Sequence, residues 1–214
     1  MLSKPRKIVI GDVHGCYLEL IMLLNKAGYN PTQDDLIFVG DLVNRGPDSK
    51  KVIDFIKAQN AVSILGNHEY YLLESTRLGE HQQNVYQQMK LAFKEEFDEL
   101  IDYLKTWPLY LEFDDYIVVH AGIDINKSID KTSPSFLVQV REIKNANGDS
   151  QAWFQDYNGE KTIIFGHWAK LGGLIRSNLI GLDLACVYGG SLRAVILPSR
   201  EIIEVKAQKA YFTP

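Results

Sequence analysis

Cysteine is scarce in this chain, with only Cys16 and Cys186 in 214 residues. A disulfide framework is therefore excluded as the source of stability, and a reducing, cytoplasmic setting is the expectation. A basic surplus is missing too. The net charge of −4 argues against a general or extended nucleic-acid binder, and an anion could be held only through a local positive field. Long hydrophobic runs are also lacking. The basic segment Met1–Lys7 leads into three apolar residues before Gly11, too few for a signal peptide, and no run approaches a membrane span. No internal repeat or low-complexity linker is present, so one domain over residues 1–214 is expected. What remains is an apolar fraction of 46% with 23% charged residues, enough for a real core.

The apolar residues fall in short runs, each followed by a polar island rich in glycine. Ile8–Ile10 leads to Gly11-Asp12-Val13-His14-Gly15. Leu36–Val39 leads to Gly40-Asp41-Leu42-Val43-Asn44-Arg45-Gly46. Ala61–Leu65 leads to Gly66-Asn67-His68-Glu69, Ile117–Val119 to His120-Ala121-Gly122, and Thr162–Phe165 to Gly166-His167-Trp168. Helical spacing of Leu20, Leu23, Leu24 and Ala27, closed by Gly28, predicts a helix after the first island. A second helix is predicted from Pro47-Asp48-Ser49. This strand–island–helix cycle predicts a parallel sheet whose strand ends carry the ligand site. Tyr70–Lys105 is read as two or three helices forming a small cap, an insertion over about residues 70–107. A hairpin turning at Asp114-Asp115 delivers His120. Ser133-Pro134 opens a helix through Ile143, Asn145–Gly159 reads as an exposed loop, and Leu174–Val205 suggests a second, more antiparallel sheet.

Four of the five histidines lie within four residues of the end of such a run and within two of a glycine. One alone would most often be structural; four in the same setting are hard to assign to packing. Asp12 and Asp41 offer carboxylates, Asn67 an amide oxygen, and His14, His120 and His167 imidazole nitrogens. An oxygen and nitrogen set without thiolate suits Mn, Fe, Co, Ni or Zn better than a structural zinc site. Asp12 and His14, two apart in an extended stretch, would face the same way. Six ligands are too many for one ion that keeps an open position but suit two, with Asp41 as the bridge because its strand should lie between the others. Two divalent ions against two aspartates leave the site positive and select an anionic substrate. Arg45 adds a fork suited to phosphate.

The five islands, in this order and spacing, resemble the metallophosphoesterases, and within them the phosphoprotein-phosphatase-like branch. The segments Phe165–Ala169 and Gly181–Gly190, with Gly15-Cys16-Tyr17 and Glu19-Leu20, resemble the symmetrical diadenosine tetraphosphatases and the shorter phosphatases like them. The resemblance implies an α/β fold, an αββα sandwich with a mixed β core flanked by helices. It implies two divalent ions, manganese foremost with Co, Fe, Ni or Zn as alternatives. One would be held by Asp12, His14 and Asp41, the other by Asp41, Asn67, His120 and His167. It implies Arg45 as a phosphate ligand and His68 as the group that protonates the leaving oxygen. Arg141, in the helix after the His120 island, is the candidate second phosphate arginine. The partner would be a small nucleotide and the products nucleoside diphosphates. The oligomeric state stays open.

Two positions depart from the pattern. Asn44 stands where tetraphosphatases usually have alanine and protein phosphatases have an aspartate that orients the histidine. Glu69 stands where tetraphosphatases have aspartate. An amide at position 44 supplies no negative charge to His68, which favours anhydride over phosphoserine cleavage. A protein serine/threonine phosphatase and a cap-removing pyrophosphatase are the alternatives; an inactive metal-bearing binding module is disfavoured by the complete ligand set. Other residues are open at this level. Glu69 reads as a brace for its loop, and Asp183 as a turn residue or a support for a ligand histidine. Trp168 could sit in the core or in the groove. His81 reads as exposed and both cysteines as buried packing.

Overall fold

The computed structural model describes residues 6–74 and 79–213. The expected exposure of His81 concerns a side chain outside those described, and 75–78 of the expected cap also lie outside them. The elements run β1 (Arg6–Ile10), α1 (Tyr17–Ala27), β2 (Asp34–Phe38), α2 (Ser49–Ala58), β3 (Val62–Ser63), α3 (Asn67–Leu73), α4 (Glu80–Phe93) and α5 (Phe97–Leu104). They continue with β4 (Tyr110–Glu112), β5 (Tyr116–Val119), α6 (Pro134–Gln139), β6 (Glu142–Lys144), β7 (Ser150–Ala152), β8 (Thr162–Phe165), β9 (Leu179–Gly181), β10 (Asp183–Leu184), β11 (Ser191–Leu197) and β12 (Glu201–Lys206).

Two sheets stack face to face, and the short apolar runs show why. Val9, Ile37 and Val39 point into the space between the sheets, where they meet Val118, Ile164 and Ile180. Their chain neighbours Ile8, Ile10 and Phe38 point the other way, into a core shared with α1, α2, α4 and α5. On the far side, Ile117, Val119, Ile163 and Phe165 meet Leu137 of α6, Trp153 and Phe154. A strand buried on both faces has no polar position to alternate with, so its sequence reads as a continuous apolar run. The layers are therefore helix, sheet, sheet and helix, the α/β sandwich the resemblance implies.

In the first sheet β1, β2 and β3 are parallel, and β2 lies between the other two. That places Asp41 between the Asp12 and Asn67 islands, as expected. In the second sheet β5 and β8 are parallel neighbours, so His120 and His167 emerge side by side. All five islands leave their strands at the carboxyl end.

Several expectations are corrected. The tail does not form its own sheet. β9 continues the second sheet in parallel with β8, while β10, β11 and β12 join the first sheet antiparallel. The helix opened by Ser133-Pro134 ends at Gln139 rather than Ile143, because Val140 turns to extended backbone. Arg141 therefore leads into the β6–β7 hairpin and lies outside any helix. Most of the stretch expected as an exposed loop from Asn145 to Gly159 lies outside regular strands, but Ser150–Ala152 pairs with β6, and the same stretch carries Trp153 and Phe154, 0% and 3% exposed. The helices α4 and α5 pack into the α1–α2 core through Val85, Met89, Phe93, Phe97, Leu100 and Leu104. Cys16 and Cys186 are buried as expected, and the fold brings them together with Glu19.

Trp153 tests this account of the 145–159 segment. Truncating a fully buried tryptophan costs about 3–5 kcal/mol. Trp153→Ala should lower the unfolding free energy in urea by that amount. A loss under about 1 kcal/mol would show that the hairpin only decorates the core.

Candidate metal centre

Asp41 stands at the middle of the site. It is 2% exposed and follows β2 in left-handed backbone, φ 52°. His14, Asn44, Arg45 and His167 also adopt left-handed backbone. Asn, Asp and His tolerate this region better than most residues, and such strain gathers where a site must hold its side chains in set directions. His14 therefore does not reach the site from an extended stretch, as i, i+2 spacing suggested. It sits in a tight turn, and its ring comes in beside Asp41 while Asp12 approaches from the β1 end.

Glu69 holds the Asp41 loop in place. Its Oε2 accepts the Asp41 N–H at 2.8 Å and the Gly66 N–H at 3.0 Å. Its Oε1 accepts the Leu42 N–H at 2.8 Å and the Val43 N–H at 3.2 Å. Four backbone donors thus converge on one carboxylate that is 0% exposed, which settles its role as a brace. Burial, and then the Asp41 carboxylate, push Glu69 up to about 7 against the pull of those donors. Asp41 Oδ1 in turn accepts the His68 N–H at 2.9 Å.

The donor atoms gather in two groups that share Asp41. His14, Asp41 and His68 form one, and Asp41, His120 and His167 the other, each with ligand atoms within 4.8 Å of one another. Asp12 lies alongside and accepts the His167 backbone N–H at 3.0 Å through Oδ2. Gly166 makes this approach possible, since a Cβ there would collide with Asp12 Oδ1. Gly122 plays the same part on the other side, where a Cβ would stand 2.5 Å from the Trp153 ring.

The tautomers follow from which partners can only accept. Backbone carbonyls have no proton to give, so the ring nitrogens facing them donate. His14 Nδ1 donates to Val43 O at 3.2 Å, His120 Nδ1 to Val39 O at 2.8 Å, and His167 Nε2 to Gln139 O at 3.1 Å. In each neutral ring the other nitrogen then presents a lone pair to the centre, the form in which histidine binds a metal. His68 is arranged the opposite way. Asn44 Oδ1 accepts the Arg45 N–H at 2.7 Å, which fixes the amide so that Nδ2 donates to His68 Nδ1 at 3.1 Å. With Nδ1 accepting, the proton of neutral His68 sits on Nε2, a buried atom with no hydrogen-bond partner among the described residues. Three rings thus present a lone pair to the centre and the fourth a proton, although all four lie close together.

This donor set fits cations. Asn67 Oδ1 lies 3.1 Å from His120 Nε2 and 2.8 Å from His167 Nδ1, so acceptors face acceptors. Burial opposes charge on His120, but Asp41 raises it to about 9, so a proton can relieve part of the crowding. Burial lowers His14 to about 4 and His167 to about 3. Burial and then Asp183 drive Asp12 well above the usual carboxylate range. Burial works against charge on Asp41 too, but His120, His68 and His14 hold its carboxyl well below that range. A divalent ion would replace these proton arrangements and neutralise the facing carboxylates at once.

A cleft of about 750 Å³ opens over this centre and is lined by Arg45, Arg141, Trp168 and Tyr188 besides Asp12, His14, Asp41, Asn67 and His167. Arg45 NH1 donates to His14 Nε2 at 3.0 Å, and its guanidinium lies 5.5 Å from the Tyr188 ring centre. Arg141 reaches the cleft from its loop, with NH2 3.4 Å from the His167 carbonyl. Trp168 does both things expected of it, packing on Phe154 at 5.9 Å while lining the cleft. Asp183 accepts the Ala185 N–H at 2.9 Å, the turn role, and among the described residues no hydrogen bond joins it to a histidine. Tyr71 was not singled out from sequence. It lies one helical turn after Asn67, on the same face of α3, and lines the cleft. Among the described residues, α4 and α5 add nothing to the lining.

The calcineurin-like phosphoesterase family model matches residues 5–197, and the chain belongs to that family of metal-dependent hydrolases. It is 30% identical to the symmetrical bis(5'-nucleosyl)-tetraphosphatase of Aromatoleum aromaticum, over 94% of this chain and 96% of that one. It is also 30% identical to the protein of the same name from Vibrio cholerae, over 86% and 92% of the two chains. A solved crystal structure provisionally assigned as a diadenosine tetraphosphatase superposes with a TM-score of 0.81 at 30% identity, over 96% of this chain and 95% of that one.

The Glu69 brace yields a direct test. A glutamine offers one acceptor oxygen and turns an NH₂ group towards donors it cannot accept from. Hydrogen bonds to a charged group are worth about 1.5–3 kcal/mol, so Glu69→Gln should destabilise the protein by roughly 3 kcal/mol and weaken cation binding measured by calorimetry. Unchanged cation affinity would show that Asp41 does not depend on the brace.

Proposed function

We propose that this chain is a two-metal phosphohydrolase that cleaves the phosphoanhydride bonds of dinucleoside polyphosphates and splits diadenosine tetraphosphate into two ADP. Asp12, His14 and Asp41 would hold one divalent ion, and Asp41, Asn67, His120 and His167 the other. The family resemblance puts manganese first, and the oxygen and nitrogen donors would also accept cobalt, iron, nickel or zinc. Bound there, the ions supply positive charge and an activated water for in-line attack on phosphorus. The whole chain acts as one cytoplasmic domain, with α4 and α5 an insertion in it. Support for the substrate comes from the named relatives and from one contact, the Asn44 amide on His68 Nδ1.

That contact decides what His68 can do. Its Nε2–H faces the centre, 4.0 Å from Asp41 Oδ2, and can donate a hydrogen bond to a leaving oxygen. An aspartate at position 44 would accept a proton from Nδ1 and support the imidazolium, which is a strong acid; the amide cannot. Burial pushes the imidazolium well below its ordinary value as well. A serine alkoxide, close in basicity to hydroxide from water with pKa about 15.7, needs a proton as it leaves. A phosphate group, whose last pKa is about 6, leaves as an anion and needs only hydrogen bonds. Arg45 and Arg141 supply those to the phosphate oxygens, Arg45 through a fork that can take two at once.

The deciding experiment follows products with manganese across dinucleoside polyphosphates, capped RNA and a phosphopeptide. ADP should be the sole product from diadenosine tetraphosphate, and a chelator should abolish its release. AMP with ATP, or faster turnover of the phosphopeptide, would overturn the reading. Changing Asn44 isolates the leaving-group argument. Asn44→Asp should raise kcat/KM for an alkyl phosphate monoester relative to the tetraphosphate by about tenfold, a part of the roughly 10²–10⁴-fold that a well-placed general acid contributes. An unchanged ratio would show that position 44 does not set the preference.

A further inference from the structure

The two donor groups that share Asp41 are each flanked by an arginine and an aromatic ring. On the His14 side, Arg45 donates to the His14 ring at 3.0 Å and lies against Tyr188 at 5.5 Å. On the His167 side, Arg141 lies 3.4 Å from the His167 carbonyl, and Trp168 follows His167 in the chain. Both rings line the same cleft and are half-buried. Each is also backed from behind, Trp168 by Phe154 at 5.9 Å and Tyr188 by Phe212 at 6.1 Å. Neither ring is needed for chemistry at phosphorus. A tryptophan and a tyrosine held with part of their surface open to a cleft offer planar faces on which a flat aromatic group can stack.

We propose that Arg45 with Tyr188 and Arg141 with Trp168 form two nucleoside diphosphate subsites, one on each side of the metal centre, with the bases stacked on the two rings. This rests on the proposed function and adds what recognises the ends of the substrate. A chain of four phosphates centred over Asp41 places two on each side. Each arginine meets one diphosphate, and each ring meets the base beyond it. The arrangement explains why a symmetric substrate would be cut in the middle. With a base docked on each flank, the central anhydride lies over the shared carboxylate.

Steady-state kinetics of the manganese-loaded full chain test this with Trp168→Ala and Tyr188→Ala. Stacking on one aromatic ring is worth enough that its loss should raise KM for diadenosine tetraphosphate about tenfold in each variant. The inhibition constant of inorganic pyrophosphate, which has no base, should stay within about twofold of the wild-type value, because stacking on the rings concerns the base alone. Trp168→Phe and Tyr188→Phe should restore most of the affinity, which a hydrogen-bonding role would not allow. A parallel rise in the pyrophosphate constant would reveal general damage to the cleft and overturn the assignment. A rise in one alanine variant only would overturn the two-sided arrangement. Unchanged KM in both, with the wild type active, would overturn the subsites while leaving the proposed function standing. A wild type inert towards diadenosine tetraphosphate would overturn both.

Discussion

A carboxylate that faces no solvent, Glu69, holds the centre of this molecule together. The ends of β2 and β3 leave their sheet as loops, and loops carry backbone N–H groups that must be satisfied when buried. Four of them point at Glu69. The arrangement ties the first residue of α3 to the turn after β2, so Asn67 and Asp41 cannot drift apart. It also explains how a residue in left-handed backbone, Asp41, can persist at the middle of a buried site. The strain is outweighed by charge-assisted hydrogen bonds on either side of it.

Around that fixed point, the hydrogen-bond partners of the histidines separate rings that offer a lone pair from the one that offers a proton. Three rings spend one nitrogen on a backbone carbonyl and turn a lone pair inward; the fourth accepts from an amide and turns a proton inward. No difference in burial would sort them, since all four are less than 10% exposed. The sorting depends on carbonyl and amide groups that stand outside the cluster. The same logic makes position 44 consequential. Replacing one amide nitrogen with an oxygen reverses the direction of a single hydrogen bond and with it the acidity of His68.

Much of this was legible in the sequence because the islands are short and sit at the ends of strands. Glycine and a polar residue after a doubly buried run can only mark a strand end, and strand ends in a parallel sheet share one edge. The candidate ligands therefore converge as expected. What failed was register over longer distances. Nothing local in Asn145–Gly159 shows that Trp153 is covered by Phe165 and the HAG turn at Gly122; its burial is tertiary. The tail reads as uniform β-type runs, yet β9 and β11 go to different sheets, a choice made by partners far away in the chain. Arg141 reached the cleft although its helix stops early, because the turn at Val140 carries it there. Nothing local marks Tyr71 or Tyr188 as site residues, since tyrosine in a helix or a β-rich tail has many uses. Glu69 was read correctly as a brace, but the number of donors it collects depends on a loop 26 to 28 residues away.

The protein carries net negative charge and yet presents guanidinium groups and nitrogen ligands where an anion must enter. These facts are compatible because the acidic groups of the site are spent. Asp41 is ringed by histidines, Glu69 by backbone donors, and Asp12 by the His167 N–H. With cations added, the local field reverses sign relative to the surface, and the cleft attracts what the rest of the protein repels. Selectivity then cannot come from charge alone, since any phosphate would be drawn in. It has to come from how far an arginine-to-arginine span reaches across Asp41 and from what the flanking rings can cover. A fold that supplies the same strand ends can therefore change substrate through the loops after β8 and β10 while leaving the metal ligands untouched.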